Sequence, residues 1–244
     1  MKIGFFEIED WEEKFIREHF PDDQLNFSKN KIDSDNIPNE TDFEILSVFI
    51  DSVIDRETLN HFPNLKFIAT RSTGFDHIDI HSCKEKNISV GIVPDYGART
   101  VAEYTFGLIL NLTRKMFRAI DQVKEREAFS LVNLRGMDLK DKTLGVIGVG
   151  KIGQEVIKIA KGFEMKIIAT APKTDETLSE NLGFSYVSLE DLLKNSDIIT
   201  IHCPYNSSTH HLINKINIGL IKKGAYLVNT ARGGIVETEV LVQA

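Results

Sequence analysis

Thr143-Leu-Gly-Val-Ile-Gly-Val-Gly-Lys-Ile-Gly153 decides how this chain is read. A short apolar run of the kind a strand buried on both faces needs leads directly into Gly148-x-Gly150-x-x-Gly153, and helical periodicity follows from Ile152 to Gly162. Each glycine has its own physical task. Gly148 permits the tight turn out of the strand, Gly150 lets the backbone approach a pyrophosphate, and Gly153 lets the helix pack closely on the strand. The start of the helix offers free N–H groups and a positive dipole end to the phosphates. The glycine spacing alone also suits an ordinary turn; its place between strand and helix favours a dinucleotide-binding one.

Working outward, short apolar strands alternate with helical patterns, which implies βαβ units, a parallel sheet and an α/β fold. Before the glycines, Lys2 to Phe6, Ile45 to Phe49, Phe67 to Thr70 and Ser89 to Ile92 read as strands, with Glu9 to His19 and Ile80 to Lys86 helical. They make a small open sheet. The loop Val93-Pro-Asp-Tyr-Gly-Ala-Arg-Thr100 and a long helix from Thr100 to about Arg118 are expected to join this part to the next, dividing residues 1–97 from 98–244. Further strands are expected at Thr143 to Ile147, Lys166 to Ala169, Ile198 to His202 and Ala225 to Asn229, with helices between them.

Composition excludes some partners. With 29 Lys and Arg against 36 Asp and Glu, the net charge of −7 gives no footprint for nucleic acid or an anionic membrane. No window reaches the roughly 20 apolar residues that span a bilayer, and the opening Met1-Lys-Ile-Gly-Phe-Phe-Glu is a strand interrupted by acid at Glu7, so a cytoplasmic protein is expected. Cys83 and Cys203 are too few and too far apart for a disulfide framework or metal cluster, and read as reduced, packed thiols. No metal site is expected from the histidines either. His77 and His81 flank Asp79 without a converging set of ligands, and the neighbours His210 and His211 should point apart on a regular element.

Five motifs in order resemble the D-isomer-specific 2-hydroxyacid dehydrogenases, from about Ile45 to the end. They are Arg71-Ser-Thr-Gly-Phe-Asp-His-Ile-Asp79, Thr100-Val-Ala-Glu-Tyr-Thr-Phe-Gly-Leu-Ile-Leu110, the glycine turn, Leu189 to Pro204, and Val228-Asn-Thr-Ala-Arg-Gly-Gly-Ile-Val236. The resemblance implies a flavodoxin-like substrate domain, a Rossmann nucleotide domain with a doubly wound parallel sheet, and an active site in the cleft between them. The expected reaction interconverts a D-2-hydroxy acid and its 2-oxo acid, D-lactate dehydrogenase-like.

Arg232 follows a strand end, and its planar fork can bind a carboxylate bidentately. In the family the matching arginine holds and polarises the 2-oxo acid. The loop of Ser72, Thr73 and Gly74 resembles the one whose backbone N–H groups bind the substrate carboxylate, and Tyr96 stands where D-lactate dehydrogenases carry a substrate-contacting tyrosine. Cofactor contacts are implied at Thr100, at Gly148, Gly150, Lys151 and Ile152, and at Ala171 and Lys173. Further contacts are implied at His202, Cys203, Pro204 and Thr209, with His202 beside the nicotinamide, and at Thr230 and Ala231.

Two departures from the family pattern stand out. NAD-preferring members end the second strand with an aspartate for the adenosine ribose, whereas here Ala171 is followed by Pro172, Lys173 and Thr174, which opens NADP beside NAD unless Asp175 folds back. The family's proton-transferring histidine and its glutamate lie beyond the Arg232 motif, and the sequence given stops at Ala244. Glu237 and Glu239 fit the polar start of a helix rather than that role. The expectation is a chain truncated at its C-terminus, lacking the acid–base pair, the last strands and the terminal helix of the substrate domain, and inactive for that reason. A catalytically dead nucleotide-sensing or corepressor-like relative would also suit the missing pair, though Arg232 and the substrate loop argue against it. A homodimer through the nucleotide domain is implied, with the helix from Thr100 and the Met116 to Arg135 segment as its interface.

Overall fold

The computed structural model describes residues 1–125 and 130–243, and these fall into two compact units that divide between Tyr96 and Gly97. In the first unit, β1 (Lys2–Phe6), α1 (Asp10–His19), β2 (Gln24–Ser28), β3 (Ile45–Val48), α2 (Arg56–Asn60), β4 (Phe67–Thr70), α3 (Ile80–Glu85) and β5 (Ser89–Gly91) follow one another. The five strands are parallel in the order β2-β1-β3-β4-β5, the flavodoxin-like winding. Alternation along β1 explains the layering. Ile3 and Phe5 pack with Ile8, Phe20 and Phe27 on one face, while Phe6 joins Phe43, Leu46, Val48 and Ile68 on the other.

The second unit runs α4 (Ala98–Arg114), α5 (Met116–Lys124), β6 (Thr143–Ile147), α6 (Lys151–Gly162), β7 (Lys166–Thr170), α7 (Glu176–Leu182), β8 (Ser185–Tyr186), α8 (Leu189–Asn195), β9 (Ile198–Ile201), β10 (Tyr226–Asn229) and α9 (Thr238–Gln243). Its parallel sheet has the order β10-β9-β6-β7-β8. Leu144 and Val146 face the core shared with α4 and α6; Ile147 faces the opposite core with Leu192, Leu193, Ile199 and Ile201. Gly145 lets α8 close on that second face, since a Cβ there would lie 2.1 Å from the Ser196 hydroxyl.

The helix expected from Thr100 to Arg118 is instead two helices. Lys115 adopts a left-handed backbone (φ 56°), which ends α4 and starts α5, and its ammonium lies 5.5 Å from the Tyr226 ring centroid. β2, the short α2 and the two-residue β8 are elements the apolar pattern does not announce. Residues 126–129, within the segment expected at the dimer interface, lie outside the described residues.

Candidate functional site

β6 lies between β7 and β9, so the winding reverses there, and the crevice beyond the carboxyl ends of β6 and β9 is where a doubly wound sheet receives a ligand. Gly148 turns the chain at that point with φ +96°, its N–H bonded to the Thr170 carbonyl at 2.9 Å. A Cβ on Gly148 would meet the Cys203 nitrogen at 2.7 Å and the His202 carbonyl carbon at 2.8 Å, and one on Gly153 would meet the Gly148 oxygen at 2.2 Å. Gly150 is different. Nothing lies within 4 Å of its Cβ position, and as the N-cap of α6 it contributes no side-chain cap. The first-turn N–H groups at Lys151 and Ile152 have no carbonyl within the helix to bind. Open space, backbone donors and a helix N-terminus together fit a dinucleotide pyrophosphate.

At the exit of β9, the His202 N–H binds the Ile147 carbonyl at 2.7 Å and its Nε2 lies 2.8 Å from the Thr200 hydroxyl. Burial pushes the imidazole down from its ordinary 6.5 to about 4, so it is neutral at physiological pH. An unfolded chain protonates this residue near its ordinary value while the native one does not. Stability should therefore fall as pH drops from 6.5 toward 4, by about 2 kcal/mol for this residue. Urea denaturation across that range should show a shallower pH slope for His202→Asn, and an unchanged slope would refute a neutral imidazole held out of water.

Cys203 is a half-buried free thiol, raised in pKa by burial, and Pro204 opens an irregular loop. Thr209 closes it: the hydroxyl donates to the Pro204 carbonyl at 2.7 Å and accepts from the Asn206 N–H at 2.9 Å. The structure thus places Thr209 as a loop lock. His210 and His211 do not point apart as expected. Their rings stack at 3.8 Å between centroids, because the segment is no regular element and His211 takes a left-handed φ of 49°. Among the described residues no group of three or more His, Cys, Asp or Glu could hold a metal ion.

On the far side of β9, β10 delivers Thr230, Ala231 and Arg232. Arg232 is extended (φ −142°, ψ 140°) and exposed. On the other side, β7 ends next to Ala171, with Lys173 exposed, and the Asp175 carboxylate accepts from the Leu178 N–H at 2.9 Å as the N-cap of α7. Thr100 is exposed in the first turn of α4. Sheet order thus brings Ala171, the glycine turn, His202 to Pro204 and Thr230 to Arg232 to one edge in that lateral sequence.

In the first unit, the loop after β4 is built from inside. The Ser72 hydroxyl, buried, lies 2.6 Å from that of Thr70 and donates to the Gly74 carbonyl at 2.7 Å, while the Thr73 hydroxyl donates to the Val93 carbonyl at 2.8 Å. The N–H groups of Thr73 and Gly74 make no hydrogen bond within the described residues, as an anion-binding loop requires. Tyr96 is 61% exposed.

Glu7 was legible only as the acid ending β1. Its carboxylate accepts from the N–H groups of Phe49, Asp51 and Ser52 (2.9, 2.8 and 3.2 Å) and from the Ser52 hydroxyl, filling the point between β1 and β3 where this winding also reverses. Arg71 donates to the Phe6 and Glu7 carbonyls at 2.9 and 2.7 Å and to the Ser47 hydroxyl at 3.1 Å. Together they tie the starts of the loops after β3 and β4 to the end of β1.

A family model described as "D-isomer specific 2-hydroxyacid dehydrogenase, NAD binding domain" matches residues 106–244. A 2-hydroxyacid dehydrogenase homolog of Zymomonas mobilis is 36% identical over all of this chain and 75% of its own length. Among solved structures, the D-lactate dehydrogenase of Aquifex aeolicus complexed with NAD and lactic acid aligns at a TM-score of 0.92 and 39% identity, over 99% of this chain and 72% of that one. An acyclic imino acid reductase in complex with NADPH and D-Arg aligns at 0.86 and 28% identity, over 100% and 78%.

Proposed function

Because the chain belongs to the D-isomer-specific 2-hydroxyacid dehydrogenase family, we propose that it handles a D-2-hydroxy acid and its 2-oxo acid, with D-lactate and pyruvate the best-fitting pair. The observation that carries this reading is the single sheet edge holding the glycine turn, His202 and Arg232 on adjacent strands. A bound nicotinamide cofactor supplies the hydride donor or acceptor. The chain supplies binding, orientation and charge. Backbone donors at Gly150, Lys151 and Ile152 hold the phosphates, with Thr100, Cys203, Pro204, Thr209, Thr230 and Ala231 around the cofactor and His202 as an uncharged neighbour of its nicotinamide. The Arg232 guanidinium binds the carboxylate and stabilises negative charge developing on the 2-oxygen, while Ser72 shapes the loop from which Thr73 and Gly74 offer N–H groups. Tyr96 is read as a further substrate contact. Residues 1–97 then serve as substrate domain and 98–244 as nucleotide domain.

Charge supports an uncharged substrate tail. The loops leaving β3, β4 and β5 contain no lysine, and their arginine, Arg71, is engaged with Phe6, Glu7 and Ser47. For the cofactor, NAD binding follows from the family, and we read tolerance or preference for NADP from Ala171. Asp175, the acid that could restore NAD selectivity, is occupied in capping α7, which leaves Lys173 and Thr174 to meet a 2′-phosphate.

We further infer cofactor binding without efficient turnover by these residues. His202 is neutral and half-buried, Glu237 accepts from the Lys215 N–H at 3.1 Å, Glu239 sits in the first turn of α9, and the His81–Glu85 contact at 3.5 Å is an exposed pair on α3. A homodimer is supported by the exposed Phe117, Ile120 and Val123 of α5. Among the described residues no helix is long and apolar enough to cross a membrane, and the free thiols of Cys83 and Cys203 fit a cytoplasmic setting. One experiment tests the reading: binding of NADH and NADPH, oxidation of each with a panel of 2-oxo acids, and light scattering on the same samples. We expect NADPH to bind at least as tightly as NADH, little oxidation, and a dimer mass. A strong NADH preference overturns the NADP reading, robust oxidation the absence of turnover, and a monomer mass the dimer.

A further inference from the structure

The turn that carries Arg232 is held by side chains as well as by the short 3-10 turn that follows it, whose Ile235 N–H bonds the Arg232 carbonyl at 3.2 Å. β10 ends at Asn229, and the short 3-10 turn Gly233–Ile235 begins after Arg232, so residues 230–232 belong to neither. The Asn229 carboxamide bridges this gap with both of its ends. Its Oδ1 accepts from the Ala231 N–H at 3.0 Å, and its Nδ2 donates to the Arg232 carbonyl at 2.8 Å. A second tie comes from the interior. Thr105, fully buried on α4, donates its hydroxyl proton to the Val101 carbonyl at 2.8 Å, so at the Thr230 hydroxyl, 3.0 Å away, it is the acceptor. Beyond the arginine, the Gly234 carbonyl accepts from the His211 N–H at 2.9 Å. Arg232 thus sits between two anchored points, and Asn229 alone among these side chains bonds the Arg232 carbonyl, at 2.8 Å beside the longer bond from the Ile235 N–H.

We propose that Asn229 is a positioning residue for substrate recognition: its two hydrogen bonds set the backbone from which Arg232 reaches the carboxylate of a 2-oxo acid. This rests on the reading of Arg232 as the carboxylate-binding residue. The residue type follows from the geometry. One planar group must accept from an N–H and donate to a carbonyl, and only a carboxamide of this length does both here. Aspartate keeps the acceptor but sets an oxygen against the Arg232 carbonyl, and its charge competes with the substrate for the guanidinium. Serine keeps a local acceptor for the Ala231 N–H and loses the donor to Arg232.

The test follows the Arg232 Nε–Hε resonance during titration with oxamate, a mimic of a 2-oxo acid, in the presence of NADH, for the natural chain and for Asn229→Asp, Asn229→Ala and Asn229→Ser. NADH affinity is measured separately. Oxamate should shift the resonance in the natural chain, and its dissociation constant should rise about tenfold or more in the Asp and Ala variants, less in the Ser variant, with NADH affinity held within about twofold. Unchanged oxamate affinity in the Asp and Ala variants overturns the proposal alone. So does an equal loss of NADH affinity, which would mark general damage to the unit. A natural chain whose Arg232 resonance ignores oxamate overturns both the reading of Arg232 and the positioning role.

Discussion

Gly148→Ala is expected to abolish dinucleotide binding and to destabilise the second unit, whereas Gly150→Ala should abolish binding with the fold intact. At Gly148 the backbone is left-handed, and the added methyl would lie 2.7 Å from the Cys203 nitrogen and 2.8 Å from the His202 carbonyl carbon. Neither neighbour is the mobile end of a side chain. Moving them disturbs the bond from the His202 N–H to the Ile147 carbonyl at 2.7 Å and with it the β6–β9 pairing. Backbone strain of about 1–3 kcal/mol adds to overpacking of similar size, so a loss of roughly 2–6 kcal/mol is expected by urea denaturation. At Gly150 nothing lies within 4 Å of the new methyl, and the backbone (φ −73°) accepts alanine. Its stability should change by less than about 1 kcal/mol, while the methyl occupies the space a phosphate needs and weakens NADH at least about 100-fold. The contrast is the diagnostic. Gly150→Ala with the natural NADH affinity would remove the phosphate cradle from this turn.

The same glycines explain what could be read without coordinates. A three-glycine spacing is legible because backbone crowds the Cβ positions of Gly148 and Gly153 while Gly150 leaves open the space a phosphate needs, and the strand before it announces itself by unbroken apolar residues. The strand ends next to Ala171, His202 and Arg232 are legible too, whereas the order β10-β9-β6-β7-β8 that sets them side by side is not. Other features depend on contacts remote in sequence. Glu7 acts on Phe49, Asp51 and Ser52, and nothing near residue 7 signals that partnership. The break at Lys115 carries neither glycine nor proline, and the Lys115–Tyr226 contact spans 111 positions. β2 (Gln-Leu-Asn-Phe-Ser) is a half-exposed edge strand, too polar for an apolar run to reveal. His210 and His211 depart from the expected alternation because it holds only for regular elements, and one left-handed residue reverses it.

Arg232→Gln should remove 2-oxo acid binding while leaving NADH affinity intact. Arg232 is the cation brought to the sheet edge immediately beyond Thr230 and Ala231, and it is exposed there, so its removal leaves no buried charge or cavity behind. Glutamine keeps much of the length but offers one neutral amide in place of a charged fork. The loss comprises a bidentate charge-assisted pair with the carboxylate and the stabilisation of charge on the 2-oxygen, about 3–5 kcal/mol together, or roughly 100- to 1,000-fold or more in oxamate affinity with NADH bound. Arg232→Lys separates charge from geometry. If charge alone mattered it would restore binding, but a point charge cannot hold carboxylate and carbonyl oxygen at once, so it should recover no more than about a tenth of the natural affinity. Calorimetric titration of oxamate into the NADH complex measures both variants. Binding by Arg232→Gln within about threefold of the natural chain would move carboxylate recognition wholly to the Thr73 and Gly74 N–H groups, whose donors are already open to an anion.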